Sequence, residues 1–313
     1  MADPGNDRTL FEQLARDMLD ERRRARRWSV FFKLLTFGIV LVALLAAAAA
    51  TRSHDRTCLD KCTALVELRG ELEAGGRAGA DRINAGLQAA FTHGGVAGVI
   101  LRINSPGGSP VQAGQIYDEV KRLRAAHPKT RLVAVVDEMA ASGGYYVAAA
   151  ADEIYVDKAS IVGSIGVIMD GFGFPGALEK LGVERRVVTA GENKAFMDPF
   201  SPVDPKQRAY VQQMLDEIHT QFIDAVKAGR GDRLHEMPGM FSGLVWHGAK
   251  AIELGLADKL GNAEAVARDV FEAEEIVDFT PEDNLAERVA RRFGATLAGQ
   301  LGIALRQGGS GVR

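Results

Sequence analysis

The chain has 313 residues, of which 47% are hydrophobic and 25% are charged, as expected for a globular protein with a sizeable core. The net charge of −3 offers no argument for nucleic acid binding, so we predict no nucleic acid partner. The 35 glycines are many for this length, and several cluster at predicted turns after strands. That distribution favours an α/β protein with tight functional loops over a linker-rich chain.

Residues 29–50 are predicted to form one transmembrane helix. The segment is apolar apart from Lys33, and it has about the 20 residues that a helix needs to cross a bilayer. Five arginines between residues 22 and 27 predict that the polar tail, residues 1–28, is cytoplasmic and that the rest of the chain is extracytoplasmic. A cleaved signal peptide is the alternative, since an alanine run precedes Thr51.

Residues 51–63 are predicted to form a short stalk that contains both cysteines, Cys58 and Cys62. On a helix their four-residue spacing would place them on one face, within disulfide reach. Two interpretations stay open, a disulfide in an oxidising compartment or two unbridged thiols. A CxxxC pair without nearby histidines makes a poor zinc site, and we predict no metal ion and no other cofactor.

From residue 64 onwards the pattern alternates between strands and helices. The predicted strands are residues 64–68, 98–103, 132–136, 154–156, 164–168 and 186–189. The predicted helices are residues 80–93, 110–126, 143–151, 205–228, 248–254 and 262–273. This alternation predicts a mainly parallel sheet with helices on its faces, in a domain of residues 64–275. A C-terminal amphipathic helix and tail, residues 276–313, follow, and their apolar stripe is typical of packing against the domain or a neighbouring subunit.

Ser142 is the candidate nucleophile. It lies between a small-residue run and two glycines, where a predicted strand gives way to a helix. A serine on such a tight turn is exposed, and the helix N-terminus behind it favours a developing negative charge. The alternative is a serine that caps the helix, which is the commoner role of this residue type before glycine.

A second glycine-rich turn, Asn104-Ser-Pro-Gly-Gly, ends the strand at residues 98–103. Ligand sites of α/β sheets lie at the carboxyl ends of parallel strands. Neither Gly107 nor Gly108 has a side chain that would block a substrate, and their backbone N–H groups could face a developing oxyanion. An ordinary Pro-Gly turn is the alternative.

The general base is the least obvious residue, because none of the six histidines lies in a glycine-rich motif. His93 and His127 are predicted at helix ends and His219 inside a long helix, so their predicted roles are surface or packing. Lysine remains, and it acts as a base only when desolvation lowers its pKa towards neutrality. Lys194 has apolar neighbours that favour this, although a solvated loop lysine is the alternative.

Five motifs occur in an order typical of one family: Asn104-Ser-Pro-Gly-Gly, Met139-Ala-Ala-Ser-Gly-Gly-Tyr-Tyr, Val162-Gly-Ser-Ile-Gly-Val, Gly191-Glu-Asn-Lys and Gly255-Leu-Ala-Asp-Lys-Leu-Gly. On these motifs, roughly residues 64–270 resemble the signal peptide peptidase A family. Members are membrane-anchored Ser-Lys peptidases with a crotonase/Clp-protease-like βα superhelical fold. The resemblance implies that this α/β fold follows one N-terminal transmembrane helix and that residues 64–275 form the peptidase domain.

The resemblance also implies roles for individual residues. Ser142 is expected to be the nucleophile and Lys194 the general base. The N–H groups of Gly108 and Gly143 are expected to form the oxyanion hole. Ser164 is the candidate for orienting the lysine amine, because a base is usually held by a third group.

Partners and location follow from the same resemblance. Family members assemble as rings or domes, so we expect a homo-oligomer in which Ser142 and Lys194 come from different subunits. The expected substrates are extended hydrophobic peptides, such as remnant signal peptides, bound by β-augmentation. We expect the protein in the bacterial inner membrane with its catalytic domain on the periplasmic side. The chain departs from the family at His247-Gly248, where Thr-Gly is common.

Two other classes of protein stay open. One is a non-catalytic membrane scaffold or binding protein of the same fold, which the presence of both Ser142 and Lys194 argues against. The other is a crotonase-type acyl-CoA enzyme, since that fold also uses glycine N–H groups in oxyanion holes. The membrane anchor and the Ser-Gly-Gly turn disfavour it.

Overall fold

The computed structural model describes residues 26–42, Cys58 and residues 60–281. Residues 26–42 form helix α1. Within the described residues, no helix combines the length and the apolar character needed to cross a bilayer. The predicted transmembrane helix extends to residue 50, and residues 43–50 lie outside the described part of the chain. So do the tail before residue 26, most of the predicted stalk and the helix predicted after residue 281.

Residues 56–282 form one compact unit with eight strands and seven helices in its described part. The strands are β1 (Cys62–Arg69), β2 (Val96–Ser105), β3 (Arg131–Ala141), β4 (Glu153–Val156), β5 (Ile161–Gly163), β6 (Val245–His247), β7 (Lys259–Leu260) and β8 (Ile276–Asp278). The helices are α2 (Ala80–Thr92), α3 (Pro110–Ala126), α4 (Gly143–Ala148), α5 (Pro175–Lys180), α6 (Pro205–Arg230), α7 (Gly248–Glu253) and α8 (Ala263–Asp269).

The strands form one sheet in the order β6-β5-β3-β2-β1-β8, with β4 pairing with β3 and β7. Every pairing is parallel except that of β5 with the edge strand β6. Strand β3 has two successive partners, since Val133–Val136 pair with β4 and Met139–Ala141 pair with β5. The predicted α/β architecture with a mainly parallel sheet is therefore confirmed.

The sheet is buried on both faces, and alternate residues of each strand point to different cores. On β2, Val99, Leu101 and Ile103 enter a large core with residues of helices α2, α3, α4 and α6. Ile100, from the other face of the same strand, joins a smaller core that α8 covers. Packing on both faces of the sheet holds the ends of its strands in place, and this fixes the loops that follow β2, β3 and β5.

Two helices begin at the prolines that predicted their starts, and each proline follows a capping side chain. Ser109 accepts a hydrogen bond from the Gln112 N–H at the start of α3, and Asp204 accepts one from the Lys206 N–H at the start of α6. Proline follows each cap, at the position where its missing N–H costs nothing. The predicted bounds of α3 are confirmed residue for residue.

Two predicted strands are wrong. Residues 164–168 and 186–189 are outside any strand. Strand β5 ends at Gly163, because Gly163 and Ser164 both have positive φ, 104° and 52°, and turn the chain out of the sheet. Residues 186–189 are exposed, so their β-branched side chains find no sheet face to cover.

Cys58 and Cys62 form a disulfide, with their Cα atoms 5.6 Å apart. Cys62 is the first residue of β1 and is fully buried. Its N–H donates to the carbonyl of Gly95 at 3.0 Å, at the start of β2. Of the two interpretations of this cysteine pair, the structure has the bridged form, attached at the amino end of β1.

Candidate active site

Ser142 occupies the sharp turn between β3 and α4. Its backbone has φ 51° and ψ −123°, a left-handed conformation that a residue with a side chain rarely adopts. The Ser142 N–H donates to the Gly163 carbonyl at 2.9 Å, and its own carbonyl accepts from the N–H groups of Tyr145 and Tyr146. These bonds hold the strained turn in place.

The Ser142 hydroxyl is not used by the fold. It makes no capping hydrogen bond to α4, and it has no other hydrogen-bond partner among residues 60–281. The helix-cap alternative is therefore wrong. A half-buried hydroxyl on a strained strand-to-helix turn is the arrangement by which α/β hydrolases expose a nucleophilic serine.

The Gly107-Gly108 turn lies directly against Ser142. Its position is set by Leu72, whose N–H donates to the Gly107 carbonyl at 2.8 Å and whose carbonyl accepts from the Ser109 N–H at 2.8 Å. A Cβ at Gly107 would lie 2.7 Å from the Ser142 Cβ and 2.8 Å from the Gly143 nitrogen. Only glycine permits this approach, so the ordinary-turn interpretation does not explain the motif.

Two backbone donors beside the serine have no acceptor. Neither the Gly108 N–H nor the Gly143 N–H donates a hydrogen bond within the described part of the chain. Gly143 is buried at the N-terminus of α4, where an unpaired N–H is costly unless a ligand or water satisfies it. Donors that are held ready for an acceptor are what an oxyanion hole requires.

Replacing Gly107 with alanine tests this geometry. We expect the second-order rate constant for labelling of Ser142 by a fluorophosphonate to fall by about 10²-fold, because the added methyl displaces Ser142 or the Gly143 N–H. Gly70→Ala is the matched control. Gly70 has a similar φ, 95° against 103°, but an added Cβ there meets nothing within 4 Å. Equal labelling rates in the two variants would contradict this role of the close approach.

Ser164 lies beside Ser142 at the end of the neighbouring strand. Gly163 pairs with Ala141, so the two serines directly follow a matched pair of strand residues. Ser164 also has positive φ, 52°, and its N–H donates to the Leu244 carbonyl at 2.7 Å. Its hydroxyl has no partner among residues 60–281. The sheet thus brings Ser142, the nucleophile candidate, and Ser164, the base-orienting candidate, to the carboxyl ends of two neighbouring strands.

Lys194 does not lie at the strand ends that carry Ser142 and Ser164. It lies in a turn in which its N–H donates to the Gly191 carbonyl at 3.1 Å, and its side chain is exposed. Among the described residues, its ammonium group makes no hydrogen bond or ion pair. A single chain therefore does not bring Lys194 within hydrogen-bond distance of Ser142 or Ser164.

The fifth motif, Gly255-Leu-Ala-Asp-Lys-Leu-Gly, has a structural role next to α4, the helix that follows Ser142. The Tyr145 hydroxyl of α4 donates to the Leu256 carbonyl at 2.8 Å, and burial raises the pKa of this phenol, so it stays a donor. Asp258 accepts two hydrogen bonds from the buried Arg230 guanidinium, at 2.8 and 2.9 Å. The motif thereby ties α4 and α6 to the sheet.

Sequence reasoning missed one polar contact next to the site. His219, predicted to serve only surface or packing roles, has its Nε2 3.1 Å from the carbonyl oxygen of Ile165. Ile165 directly follows Ser164. A helical pattern alone does not reveal such a contact, because the two partners are 54 residues apart in the chain.

Comparison with known proteins relates part of the chain to a peptidase family. Residues 124–276 match peptidase family S49, a range that contains Ser142, Ser164 and Lys194. The chain is 46% identical over 185 residues to the Na(+)/H(+) antiporter NhaA of Brucella melitensis, covering 59% of this chain and 25% of that protein. It is 32% identical over 201 residues to protease 4 of Haemophilus influenzae, covering 64% and 32%.

A further relative is the chloroplastic serine protease SPPA of Arabidopsis thaliana, 29% identical over 163 residues, which cover 52% of this chain and 24% of that protein. The matched segments thus span a third or less of these three relatives. The ion transport named for the Brucella protein is said of that protein and is not carried over to this chain. The S49 match to residues 124–276, the family-typical motifs and the protease relatives support placing this part of the chain in the signal peptide peptidase A family.

Proposed function

We propose that the protein is a membrane-anchored serine endopeptidase that cleaves hydrophobic peptides, such as remnant signal peptides, with Ser142 and Lys194 as a catalytic dyad. The observation that carries the proposal is the strained Ser142 turn, with an unused hydroxyl beside the two unpaired N–H groups of Gly108 and Gly143. A nucleophile and an oxyanion site are the two parts of acyl transfer that must be held most rigidly.

The reaction would proceed through an acyl-enzyme. The Ser142 Oγ attacks the peptide carbonyl carbon while the neutral Lys194 amine takes the hydroxyl proton. The negative charge develops on the carbonyl oxygen, which accepts hydrogen bonds from the N–H groups of Gly108 and Gly143. The Lys194 ammonium then returns the proton to the departing amine, and water releases the acyl group by the same steps in reverse order. Ser164 would orient the lysine amine.

We propose that Lys194 reaches Ser142 in a neighbouring subunit of a homo-oligomer. Lys194 belongs to a stretch, residues 166–210, in which no residue is buried. This stretch exposes large apolar side chains, including Ile168 at 83%, Phe172 at 81%, Leu181 at 75% and Val188 at 98%. Exposed apolar surface of this extent is typical of an interface, and burial there would also remove the lysine from water.

The proposed setting is the periplasmic side of the bacterial inner membrane. The apolar segment at residues 29–50 and the arginines before it support an anchor with a cytoplasmic N-terminus. The disulfide between Cys58 and Cys62 supports an oxidising compartment for the domain. We further propose that the domain has the crotonase/Clp-protease-like superhelical fold, and that an extended substrate pairs with the backbone segment that follows β5.

Mixing two inactive variants tests the shared site. We expect Ser142→Ala and Lys194→Ala to be inactive alone on a fluorogenic hydrophobic peptide. Co-expressed with two different affinity tags, and purified through both, they are expected to recover about a quarter of the wild-type rate, because a random pairing leaves that share of sites complete. Purified Lys194→Ala mixed with a Ser142→Ala/Lys194→Ala double variant is the control and should stay inactive.

Each other outcome contradicts a separate part of the proposal. Inactive single variants without recovery in the mixture would place both residues of the dyad in one chain. Peptide turnover retained in either single variant, Ser142→Ala or Lys194→Ala, would contradict the catalytic dyad. Wild-type protein that neither cleaves the peptide nor reacts with a fluorophosphonate would favour the scaffold, and turnover of a CoA thioester would favour the acyl-CoA enzyme.

A further inference from the structure

His219 makes a polar contact with the backbone next to the proposed site. It lies on α6, half-buried, with its Nε2 3.1 Å from the carbonyl oxygen of Ile165. A carbonyl can only accept, so Nε2 carries the proton and the histidine donates. The same carbonyl also accepts from the Gly243 N–H at 3.1 Å. The Ile165 side chain is fully buried, so this residue is held at both its side chain and its carbonyl.

The carbonyl of Ile165 belongs to the segment that bounds the Ser142 turn. Gly163 accepts from the Ser142 N–H at 2.9 Å, and Ser164 donates to Leu244 at 2.7 Å. By contrast, the backbone N–H and carbonyl of Gly166 make no hydrogen bond within residues 60–281. The segment is therefore anchored on one side by β6, the loop before it and His219, and is open for a ligand beyond Ile165.

The place of His219 along α6 makes this contact informative. Towards the C-terminus, Phe222, Val226 and Arg230 are buried in the domain. Towards the N-terminus, Val211 is the one buried residue, and the helix continues the exposed stretch that contains Lys194. His219 thus lies at the point along α6 where buried residues give way to exposed ones, and there it contacts the Ile165 carbonyl.

We infer that His219 is a positioning residue for Ser142 chemistry. By donating to the Ile165 carbonyl, His219 holds the segment Gly163–Gly166, and with it Ser164, in place beside the Ser142 turn. The inference rests on the proposed peptidase function. Without the histidine, the Ile165 carbonyl keeps only the Gly243 N–H, and the segment can move away from Ser142 while the core packing of Ile165 remains.

Three variants test this role in the full-length oligomer. His219→Leu removes the donor, whereas His219→Gln keeps an N–H donor near the same position. His235→Leu is the matched control, because His235 also contacts a backbone carbonyl, that of Glu253 at 2.9 Å, which belongs to α7 and not to the segment after β5. We expect His219→Leu to lower kcat/KM for a hydrophobic peptide by about 10- to 100-fold, His219→Gln to recover most of it, and His235→Leu to match the wild type.

Hydrogen exchange gives a readout that does not depend on catalysis. We expect faster amide exchange in residues 163–167 of His219→Leu, with unchanged exchange in β2 and an unchanged assembly state. A His219→Leu enzyme with wild-type kcat/KM and wild-type exchange would overturn the inference. So would an equal loss in His219→Gln accompanied by a lowered Tm, since that pattern indicates packing. If the wild-type protein has no peptidase activity, kcat/KM cannot be compared between the variants. The hydrogen-exchange result then decides by itself whether His219 holds the segment Gly163–Gly166.

Discussion

Ser142→Ala is expected to lower the rate of peptide hydrolysis by at least about 10⁴-fold, the largest functional effect we predict for a single substitution. The variant removes only the oxygen that would attack the peptide carbonyl. The hydroxyl makes no hydrogen bond to any of residues 60–281, so Tm and the assembly state are expected to stay at the wild-type values. Steady-state hydrolysis of a fluorogenic hydrophobic peptide, with fluorophosphonate labelling beside it, measures the effect.

The double variant Ser142→Ala/Lys194→Ala makes the test sharper. If the two residues act as one unit, the double variant should be no slower than Ser142→Ala alone, because the first loss removes the reaction that the second would impair. A further large decrease in the double variant would show that Lys194 acts elsewhere. Turnover within tenfold of the wild type in Ser142→Ala would exclude Ser142 as the nucleophile.

Arg230→Leu is expected to lower the free energy of unfolding by about 3–5 kcal/mol, because it removes the buried guanidinium that donates twice to Asp258 and leaves that carboxylate with the Ile154 N–H and the partly exposed Arg233. Arg230 is 1% exposed, and besides its two bonds to Asp258 its Nε donates to the Gly255 carbonyl at 2.7 Å. Denaturant unfolding of the isolated variant measures the loss. Asp258 also accepts from the Ile154 N–H at 2.7 Å, so the pair links α6 to β4.

The same pair predicts a pH dependence of stability. Burial raises the pKa of Asp258, but hydrogen bonds and charge from Arg230, the Ile154 N–H and the charge of Arg233 more than offset it, so this pKa lies below its ordinary value. A depressed carboxyl pKa contributes stability above the unfolded-state pKa of about 3.9 and loses it as the pH falls through the folded value. The deficit of Arg230→Leu should therefore be full at neutral pH and shrink below about pH 4.

An exposed arginine provides the control for this prediction. Arg122 donates to Glu119 at 2.7 Å on the surface of α3. Exposed pairs of this kind contribute little, since water and salt screen them. Arg122→Ala is expected to lower the free energy of unfolding much less than Arg230→Leu does, because the Arg122 side chain is largely exposed. A deficit in Arg230→Leu as small as that of Arg122→Ala would contradict the importance of the buried pair.

Features that depend on neighbouring residues were predictable from the chain. Proline and a capping side chain set the start of α3 and of α6, and Gly107-Gly108 and Ser142 fall at the ends of adjacent buried strands. Backbone preferences and apolar periodicity act within a few residues, so the sequence alone carries them. The same locality explains the error at residues 164–168, where an apolar run suggested a strand that a positive φ at Ser164 ends.

Features that depend on distant partners were not predictable. Strand β8 pairs with β1 across more than 200 residues of chain, and His219 meets Ile165 across 54. Arg230 and Asp258 read as two ordinary charged residues until burial brings them together. Lys194 is a related case, because its proposed partner is in another copy of the chain.

The sequence by itself predicted the α/β class, the tight turn at Ser142, the Gly107-Gly108 turn and the resemblance to one family, since each follows from short motifs and their order. Only the tertiary structure decided that the Ser142 hydroxyl is not a helix cap, that the N–H groups of Gly108 and Gly143 have no acceptor among residues 60–281, and that Lys194 is not within hydrogen-bond distance of Ser142 in one chain. The physical reason is that an unpaired donor or a free hydroxyl is defined by all the groups around it, which the fold assembles from distant parts of the chain.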